Sequence, residues 1–98
     1  MQEVRPPAVA GMFYPQNAVE LRAAITSYLA AATASGPAPK AIIVPHAGYI
    51  YSGPIAANAY AMLAPVRERI EKVVLLGPAH RVAFRGLWGI VGRAVYEA

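Results

Sequence analysis

The sequence predicts an α/β fold with a mostly parallel sheet and flanking helices, organised around one β-α-β unit. Two short apolar runs, Ala41–Val44 and Val73–Leu76, are typical of strands that are buried on both faces of a parallel sheet. The connection between the runs is longer than the dozen or so residues that a parallel crossover requires, and it contains a helical pattern. We expect this crossover to be right-handed.

The segment before the first helix is rich in proline. Val4 to Tyr14 contains Pro6 and Pro7 and is followed by Pro15. A residue that precedes proline is biased away from the helical region of backbone space. We therefore expect an extended arm here and not a helix.

The first helix is predicted by its cap and by its apolar spacing. Asn17 is a favourable N-cap, and Glu20 stands three residues later, as in a capping box. The apolar residues of one face recur at helical spacing: Leu21, Ile25, Tyr28, Leu29 and Ala32. The proline-containing loop that starts at Gly36 is expected to end the helix.

A second helix is predicted between the two strands. Pro54 suits the first turn of a helix, with Ser52 or Gly53 near the cap, so the residues from Gly48 to Gly53 are interpreted as a loop. The helix is expected to stop at Pro65. Its inner face is predicted to carry Ile55, Ala59, Met62 and Leu63.

Composition restricts the classes of protein. The chain has 98 residues and no cysteine, with 57% hydrophobic and 14% charged residues. This length allows one domain at most, and the apolar excess predicts a face that is meant for more chain or for a partner. There is no thiolate to bind a metal and no disulfide framework. The start lacks the apolar run of a signal peptide, and no apolar stretch approaches a membrane span, so we expect a cytoplasmic protein without a membrane partner.

The net charge of +4 raises the question of nucleic-acid binding. Surfaces that bind nucleic acid cluster their cations, with aromatic residues or within a recognisable module. The nine lysines and arginines of this chain are scattered along it. We therefore expect an ordinary solvated surface and no nucleic-acid partner.

Two histidines, His46 and His80, are the candidate catalytic and metal-binding residues. Each follows a predicted strand, and the carboxyl ends of parallel strands are where α/β sheets bind ligands. Neutral imidazole is a common ligand of zinc, copper and iron. An equally acceptable interpretation from spacing alone is that each imidazole caps a loop carbonyl or a helix end.

The chain does not offer a convincing third ligand. It contains no aspartate, and Glu68 and Glu71 precede the second strand, which places them at the opposite end of the predicted sheet. Glu20 is better explained as the acid of the capping box, and the remaining glutamates are on the tails. The sequence therefore predicts an incomplete site.

Four further residues are candidates for contacting a substrate. Tyr49 and Tyr51 suit stacking on, or hydrogen bonding to, a planar substrate, and Ser52 precedes a predicted helix start that favours phosphate or carboxylate. Arg81, beside His80, suits an anionic group, although an ordinary solvated arginine is an equal alternative.

At these motifs the sequence resembles the Memo family, known in microbes as AmmeMemoRadiSam system protein B. Three blocks carry the resemblance, in order and at family-like spacing: Arg5-Pro6-Pro7-Ala8-Val9-Ala10-Gly11-Met12-Phe13-Tyr14-Pro15, Pro45-His46-Ala47-Gly48-Tyr49-Ile50-Tyr51-Ser52-Gly53-Pro54-Ile55-Ala56-Ala57, and Leu76-Gly77-Pro78-Ala79-His80-Arg81. They cover most of the chain up to Leu87. The resemblance implies a fold similar to that of class III extradiol dioxygenases, built around a non-haem metal cleft.

The resemblance also implies the roles of individual residues. His46 and His80 match two metal ligands, with iron or copper as the metal, while the third family ligand, typically cysteine, comes much later in a longer chain. A metal-dependent oxidoreductase that acts on a small molecule is the first expectation. The alternative is a module that binds a peptide or a phosphorylated ligand without catalysis.

The final segment, residues 88–98, departs from the family pattern. We interpret residues 1–98 as one incomplete domain, the N-terminal portion of a Memo-like domain, and the departure as a sign of a truncated or frame-shifted product. A sheet that lacks its neighbouring strands exposes an unpaired edge, which favours self-association.

Overall fold

The computed structural model describes residues 6–78 and the backbone of residues 89–93. The chain divides after Pro65 into a first unit that contains two packed helices and a second unit that contains two paired strands. In chain order the elements are α1 (Ala18–Ala31), α2 (Tyr49–Tyr60), a 3₁₀ helix (Ala61–Arg69), β1 (Lys72–Leu76) and β2 (Gly89–Arg93). The presence of both helices and strands agrees with the predicted α/β class.

Helix α1 starts where the sequence predicts. The Asn17 side-chain oxygen accepts hydrogen bonds from the backbone N–H groups of Val19, at 2.8 Å, and Glu20, at 3.2 Å. These bonds satisfy two of the donors that every helix start leaves unpaired. The helix ends at Ala31, before the predicted loop. Two residues later, the Thr33 N–H donates to the Asn58 side-chain oxygen at 2.9 Å.

Helix α2 starts earlier than predicted, and the interpretation of Gly48 to Gly53 as a loop is wrong. The N-cap is Gly48, and Pro54 lies inside the helix. The reason is a long-range cap: the Tyr49 N–H donates to the Phe13 carbonyl oxygen at 2.7 Å, and those of Tyr51 and Ser52 donate to the Gly48 carbonyl at 2.9 Å. A backbone carbonyl from a distant segment thus replaces the side-chain cap that the sequence led us to seek.

The two helices of the first unit approach each other closely at Gly53. A Cβ atom added at Gly53 would lie 2.6 Å from Cε2 of Tyr28 on α1. The buried residues of α2, Ser52 and Ala57, are also small. Small side chains therefore determine the separation of α1 and α2.

The proline-rich segment before α1 is not helical, as expected, but it is folded into a turn and not extended. The N–H groups of Met12 and Phe13 both donate to the Val9 carbonyl at 3.0 Å, and the Gly11 N–H donates to the Tyr14 carbonyl at 2.7 Å. Gly11 has a φ of 82°, which glycine adopts without steric cost. This turn brings the Phe13 carbonyl to the start of α2.

The first predicted strand does not form. Residues Ala41–Val44 have no regular secondary structure, and no ladder pairs them with another described segment. Strand geometry is maintained by a hydrogen-bonded neighbour, so an apolar run without one does not become a strand. The parallel arrangement predicted from this run is not shown.

The second predicted strand does form, as β1, but its partner differs from the expectation. β1 pairs antiparallel with β2, with Lys72 opposite Arg93 and Leu76 opposite Gly89. β2 falls within residues 88–98, the segment predicted from the sequence to depart from the family pattern, although the start of β2 lies within the family match. All five residues of β1 are exposed, although such an apolar run is typical of a strand covered on both faces.

None of the helices that the structure describes is both long enough and apolar enough to cross a bilayer.

Candidate functional site

His46 is exposed and lies two residues before the N-cap of α2. Three residues further along the chain, the Tyr49 N–H donates a hydrogen bond to the Phe13 carbonyl and so fixes the start of α2. The imidazole therefore follows an irregular segment and precedes a fixed helix terminus. This placement makes it accessible to a ligand from solvent.

His80 and Arg81 lie outside the described residues, and they belong to the second unit of the chain. Their predicted position beside His46 therefore stays a prediction. Within the described residues, no group of three histidine, aspartate or glutamate side chains is arranged to hold a metal ion. These side chains do not complete a metal site on their own.

An aromatic cleft lies at the junction of the N-terminal turn with the two helices. It has a volume of about 220 Å³. Its lining residues come from the turn, from α1 and from the start of α2: Gly11, Met12, Phe13, Tyr14, Pro15, Ala24, Tyr28, Tyr49 and Ile50. None of them carries a charge, so the cleft favours an apolar or planar group over an anion.

Tyr49 connects the cleft to the helix start. Its ring lies against that of Tyr14, with centroids 5.5 Å apart and a tilt of 40°, a favourable aromatic geometry. Burial raises the pKa of the Tyr49 hydroxyl above its usual value, and the nearby Tyr14 and Tyr60 hydroxyls raise it further. At neutral pH, Tyr49 therefore presents a neutral hydroxyl that can donate or accept a hydrogen bond.

The other substrate-binding candidates on α2, Tyr51 and Ser52, do not line this cleft. Tyr51 is 77% exposed, whereas the neighbouring Ser52 is 5% exposed. The Ser52 Oγ is buried, without a hydrogen-bond partner among the described residues. Of these three candidates, Tyr49 lines the cleft, Tyr51 is exposed and Ser52 is buried, and their roles in binding stay predictions.

A larger concave surface, about 610 Å³ in volume, is lined only by residues between Ala18 and Ala30 of α1. Since a single helix forms all of it, it is an open surface and not an enclosed site.

Sequence reasoning missed most of the residues of the cleft. Met12, Phe13 and Tyr14 were noticed as a motif but received no role, and Tyr28 was assigned only to the inner face of α1. One signal was available: three large side chains in succession, within a segment that proline and glycine keep from being a helix. Their proximity to Tyr49 depends on the turn, which the pattern did not reveal.

Comparison with known proteins identifies relatives over most of the chain. The profile of the family described as "Memo-like protein" matches residues 5–90. A "MEMO1 family protein" of Aquifex aeolicus is 49% identical over 77 residues, which cover 79% of this chain and 27% of the relative. The "MEMO1 family protein MHO1" of Saccharomyces cerevisiae is 39% identical over 84 residues, covering 84% of this chain and 25% of the relative.

An animal protein is also similar. "Protein MEMO1" of Xenopus tropicalis is 42% identical over 74 residues, covering 76% of this chain and 24% of that protein. No solved structure matches the chain. The chain spans about a quarter of the length of these curated relatives. Since the family profile covers nearly all of its residues, the chain belongs to the Memo-like protein family.

Proposed function

We propose that His46 and His80 are two nitrogen ligands of a metal-binding cleft in a Memo-like domain, and that the complete domain is a metal-dependent, dioxygenase-like oxidoreductase. One observation carries this proposal: the family match over residues 5–90 includes both histidines and the motifs around them. The exposed position of His46 before a fixed helix start supports it.

Iron or copper bound there would supply Lewis-acid and redox chemistry. The described side chains provide one imidazole and no cluster of three ligands, so a third protein ligand has to come from outside them. The contribution that we assign to this chain is therefore binding. The anchored start of α2 limits the positions that the His46 imidazole can reach, which lowers the entropy that is lost when it binds an ion.

Calorimetric titration of the full chain with Cu²⁺, or with Fe²⁺ in the absence of oxygen, tests this proposal. We expect one ion to bind, and His46→Ala and His80→Ala each to weaken binding by at least about tenfold, since each removes a ligand. Gln16→Ala, which changes an exposed polar residue, is the control. Unchanged affinity in both histidine variants would contradict the proposal, and loss in His46→Ala alone would exclude a shared site.

A second function, ligand binding without catalysis, is favoured by the aromatic cleft. Its volume of about 220 Å³ is below the roughly 300–1,000 Å³ of most small-molecule sites, so it suits a single side chain of a peptide. No cation lines it, whereas sites for phosphorylated peptides are built from arginine clusters. We propose that this cleft, in the binding-module alternative, takes an unphosphorylated aromatic side chain.

Two peptides that differ by one phosphate group test the alternative. Calorimetric titration with a tyrosine peptide and its phosphotyrosine counterpart measures the affinity, and methyl NMR of Met12, which is exposed and lines the cleft, locates the binding in the wild-type chain. We expect tighter binding of the unphosphorylated peptide and weaker binding to Met12→Ala, with Val19→Ala as the control. Tighter binding of the phosphopeptide would contradict an apolar cleft.

A further inference from the structure

The rings of Tyr14 and Tyr49 lie against each other. Their centroids are 5.5 Å apart and their planes are tilted by 40°. This separation is within the range of about 4.5–7 Å at which aromatic rings are in contact. The two residues are distant in sequence, since the whole of α1 lies between them. The fold therefore brings together two phenol groups that the sequence separates.

Backbone hydrogen bonds hold both residues in place. The Tyr49 N–H donates to the carbonyl of Phe13, the residue before Tyr14, at 2.7 Å. The Tyr14 carbonyl accepts the Gly11 N–H at 2.7 Å, and this bond closes the N-terminal turn. Tyr49 is the first residue of α2, so its backbone belongs to a regular helix. The ring contact is thus preorganised by the backbone on both sides.

Both rings are accessible to a small molecule. Tyr14 and Tyr49 are neither buried nor fully exposed, and both line the cleft of about 220 Å³. Tyr51 differs, because it is 77% exposed and can meet the tyrosines of other chains. A small reagent can therefore reach the Tyr14 and Tyr49 rings, which already have each other as neighbours.

We propose that Tyr14 and Tyr49 are the site of an oxidative modification, a dityrosine cross-link that joins the N-terminal turn to the start of α2. Two groups that are held in contact react with each other in preference to distant partners, because proximity replaces a bimolecular encounter. The link lies in the wall of the aromatic cleft, three residues after His46. Neither the metal nor the peptide of the preceding proposals takes part.

The reaction consumes two equivalents of a one-electron oxidant. Each equivalent removes one electron from a phenol, whose O–H proton passes to solvent, and a phenoxyl radical remains. The two radicals couple through the ring carbons next to the C–O carbons and form one C–C bond. The hydrogens on the joined carbons then leave as protons, and both oxygens take up a proton, so that both rings become aromatic again. The net change is the loss of two hydrogen atoms.

Photo-oxidation of the full 98-residue chain with tris(bipyridine)ruthenium and persulfate tests the inference. Illumination generates Ru(III), a one-electron oxidant, and a dilute solution limits encounters between chains. Trypsin then separates the two sites, because Tyr14 is the only tyrosine of residues 1–22 and Tyr49 lies in residues 41–67. We expect mass spectrometry to find these two peptides joined, with two hydrogen atoms lost.

Phenylalanine variants assign the link to its residues. Tyr14→Phe and Tyr49→Phe keep the ring but remove the phenol, and each should lower the yield of joined peptides by at least about tenfold. Tyr51→Phe and Tyr60→Phe are the matched controls, since both residues lie in the same tryptic peptide as Tyr49, and they should leave the yield unchanged. Circular dichroism checks that each variant keeps its helices.

The wild-type chain in urea supplies a second test that needs no variant. Unfolding separates the two rings without changing the tyrosines, so the yield of joined peptides should fall. The purified cross-linked chain should also unfold at a higher urea concentration than the unlinked chain, because a cross-link between distant residues restricts the unfolded state, as a disulfide does.

Four outcomes would overturn the inference. One is a link that survives Tyr49→Phe and is lost in Tyr51→Phe or Tyr60→Phe. Another is an equal yield of joined peptides in the folded and the urea-unfolded chain. A third is oxidation of Tyr51 with links between chains only, or with no link at all. The last is a cross-linked chain that unfolds at a lower urea concentration than the unlinked one, since the link would then not fit the folded contact.

Discussion

The inner face of α2, which packs against α1, buries small side chains, whereas large side chains of the same helix are exposed. This is the reverse of the usual arrangement, in which large apolar side chains are buried. Ser52 and Ala57 are enclosed against α1, whereas Ile50 and Tyr51 are among the more exposed large residues of the chain. Burial of apolar area stabilises a fold in proportion to that area, so the inner face alone gains little from the hydrophobic effect.

Close approach explains the small residues of the inner face. The Tyr28 ring lies where the Cβ atom of a larger residue at position 53 would be, so the separation of α1 and α2 leaves no room there. No such restriction applies to the exposed side chains of α2. The comparison teaches that α2 is fitted to α1 by shape, and that its large side chains Ile50 and Tyr51 stay exposed.

The largest expected effect comes from Gly53→Ala, which tests the shape argument. The added methyl group would meet the Tyr28 ring at 2.6 Å. Overpacking of this kind costs about 1–3 kcal/mol, more than the gain of up to about 1 kcal/mol that alanine brings to a helix interior. Urea unfolding should therefore show a net loss of stability.

Two further variants control the Gly53→Ala measurement. Gly77→Ala adds the same methyl group where no atom lies within 4 Å, and should change stability by no more than about 0.5 kcal/mol. In a Tyr28→Ala background the cost of Gly53→Ala should vanish. A cost that persists without the Tyr28 ring would show that close approach is not the cause.

Ser52→Ala is expected to stabilise the chain. The Ser52 hydroxyl is buried without a partner among the described residues, and burying an unpaired polar group costs about 1–3 kcal/mol. Ser27→Ala, at an exposed site on α1, gives the gain in helix propensity alone. Thermal unfolding should show Ser52→Ala exceeding Ser27→Ala by about 1 kcal/mol.

The opposite result would support the substrate-binding role predicted for Ser52 from the sequence. A hydroxyl that is kept for a ligand gives Ser52→Ala little gain in stability and a loss of ligand affinity. The two measurements together therefore distinguish a buried packing residue from a binding residue.

The ionisation of Tyr49 makes the stability of the folded chain depend on pH. Burial first, and the Tyr14 and Tyr60 hydroxyls second, raise its pKa in the folded chain above the usual value of 10.0. Because the unfolded chain then loses this proton at a lower pH than the folded chain, the stabilisation is complete below pH 10.0 and is lost as pH rises through the folded pKa. Near neutral pH the stability therefore does not change with the ionisation of Tyr49.

Alkaline unfolding curves check this dependence. Tyr49→Phe should make the melting temperature less sensitive to pH above 10.0. Identical slopes for wild-type and Tyr49→Phe chains would show that Tyr49 does not ionise differently in the folded state.

Local signals in the sequence were sufficient for some elements and insufficient for others. The Asn17 cap and the spacing of α1 are local, and both were predicted correctly. The start of α2 was not, because its first N–H is satisfied by the Phe13 carbonyl, and a backbone acceptor has no signature in the sequence. Ala41–Val44 has the composition of a strand, but composition does not supply the neighbour that a ladder needs.

In the candidate site, too, the features with a local sequence signal were predicted and those that depend on distant contacts were not. His46 was found because a histidine in a distinctive motif is visible in the sequence, and it is accessible in the structure. The cleft beside Tyr49 depends on how the turn at Gly11 folds back, so sequence spacing did not reveal it. The pairing of His46 with His80 stays a prediction, since His80 is outside the described residues.

The smallest expected effect is at Ile50, which is 82% exposed, and its smallness is informative. Ile50→Gln replaces an 82% exposed side chain with one of similar helix propensity, so the free energy of unfolding of this chain alone should change by no more than about 0.5 kcal/mol. Urea unfolding measures this change. A loss above about 1 kcal/mol would mean that Ile50 packs against the rest of the chain in solution, and the contrast between the small buried and the large exposed side chains of α2 would then fail.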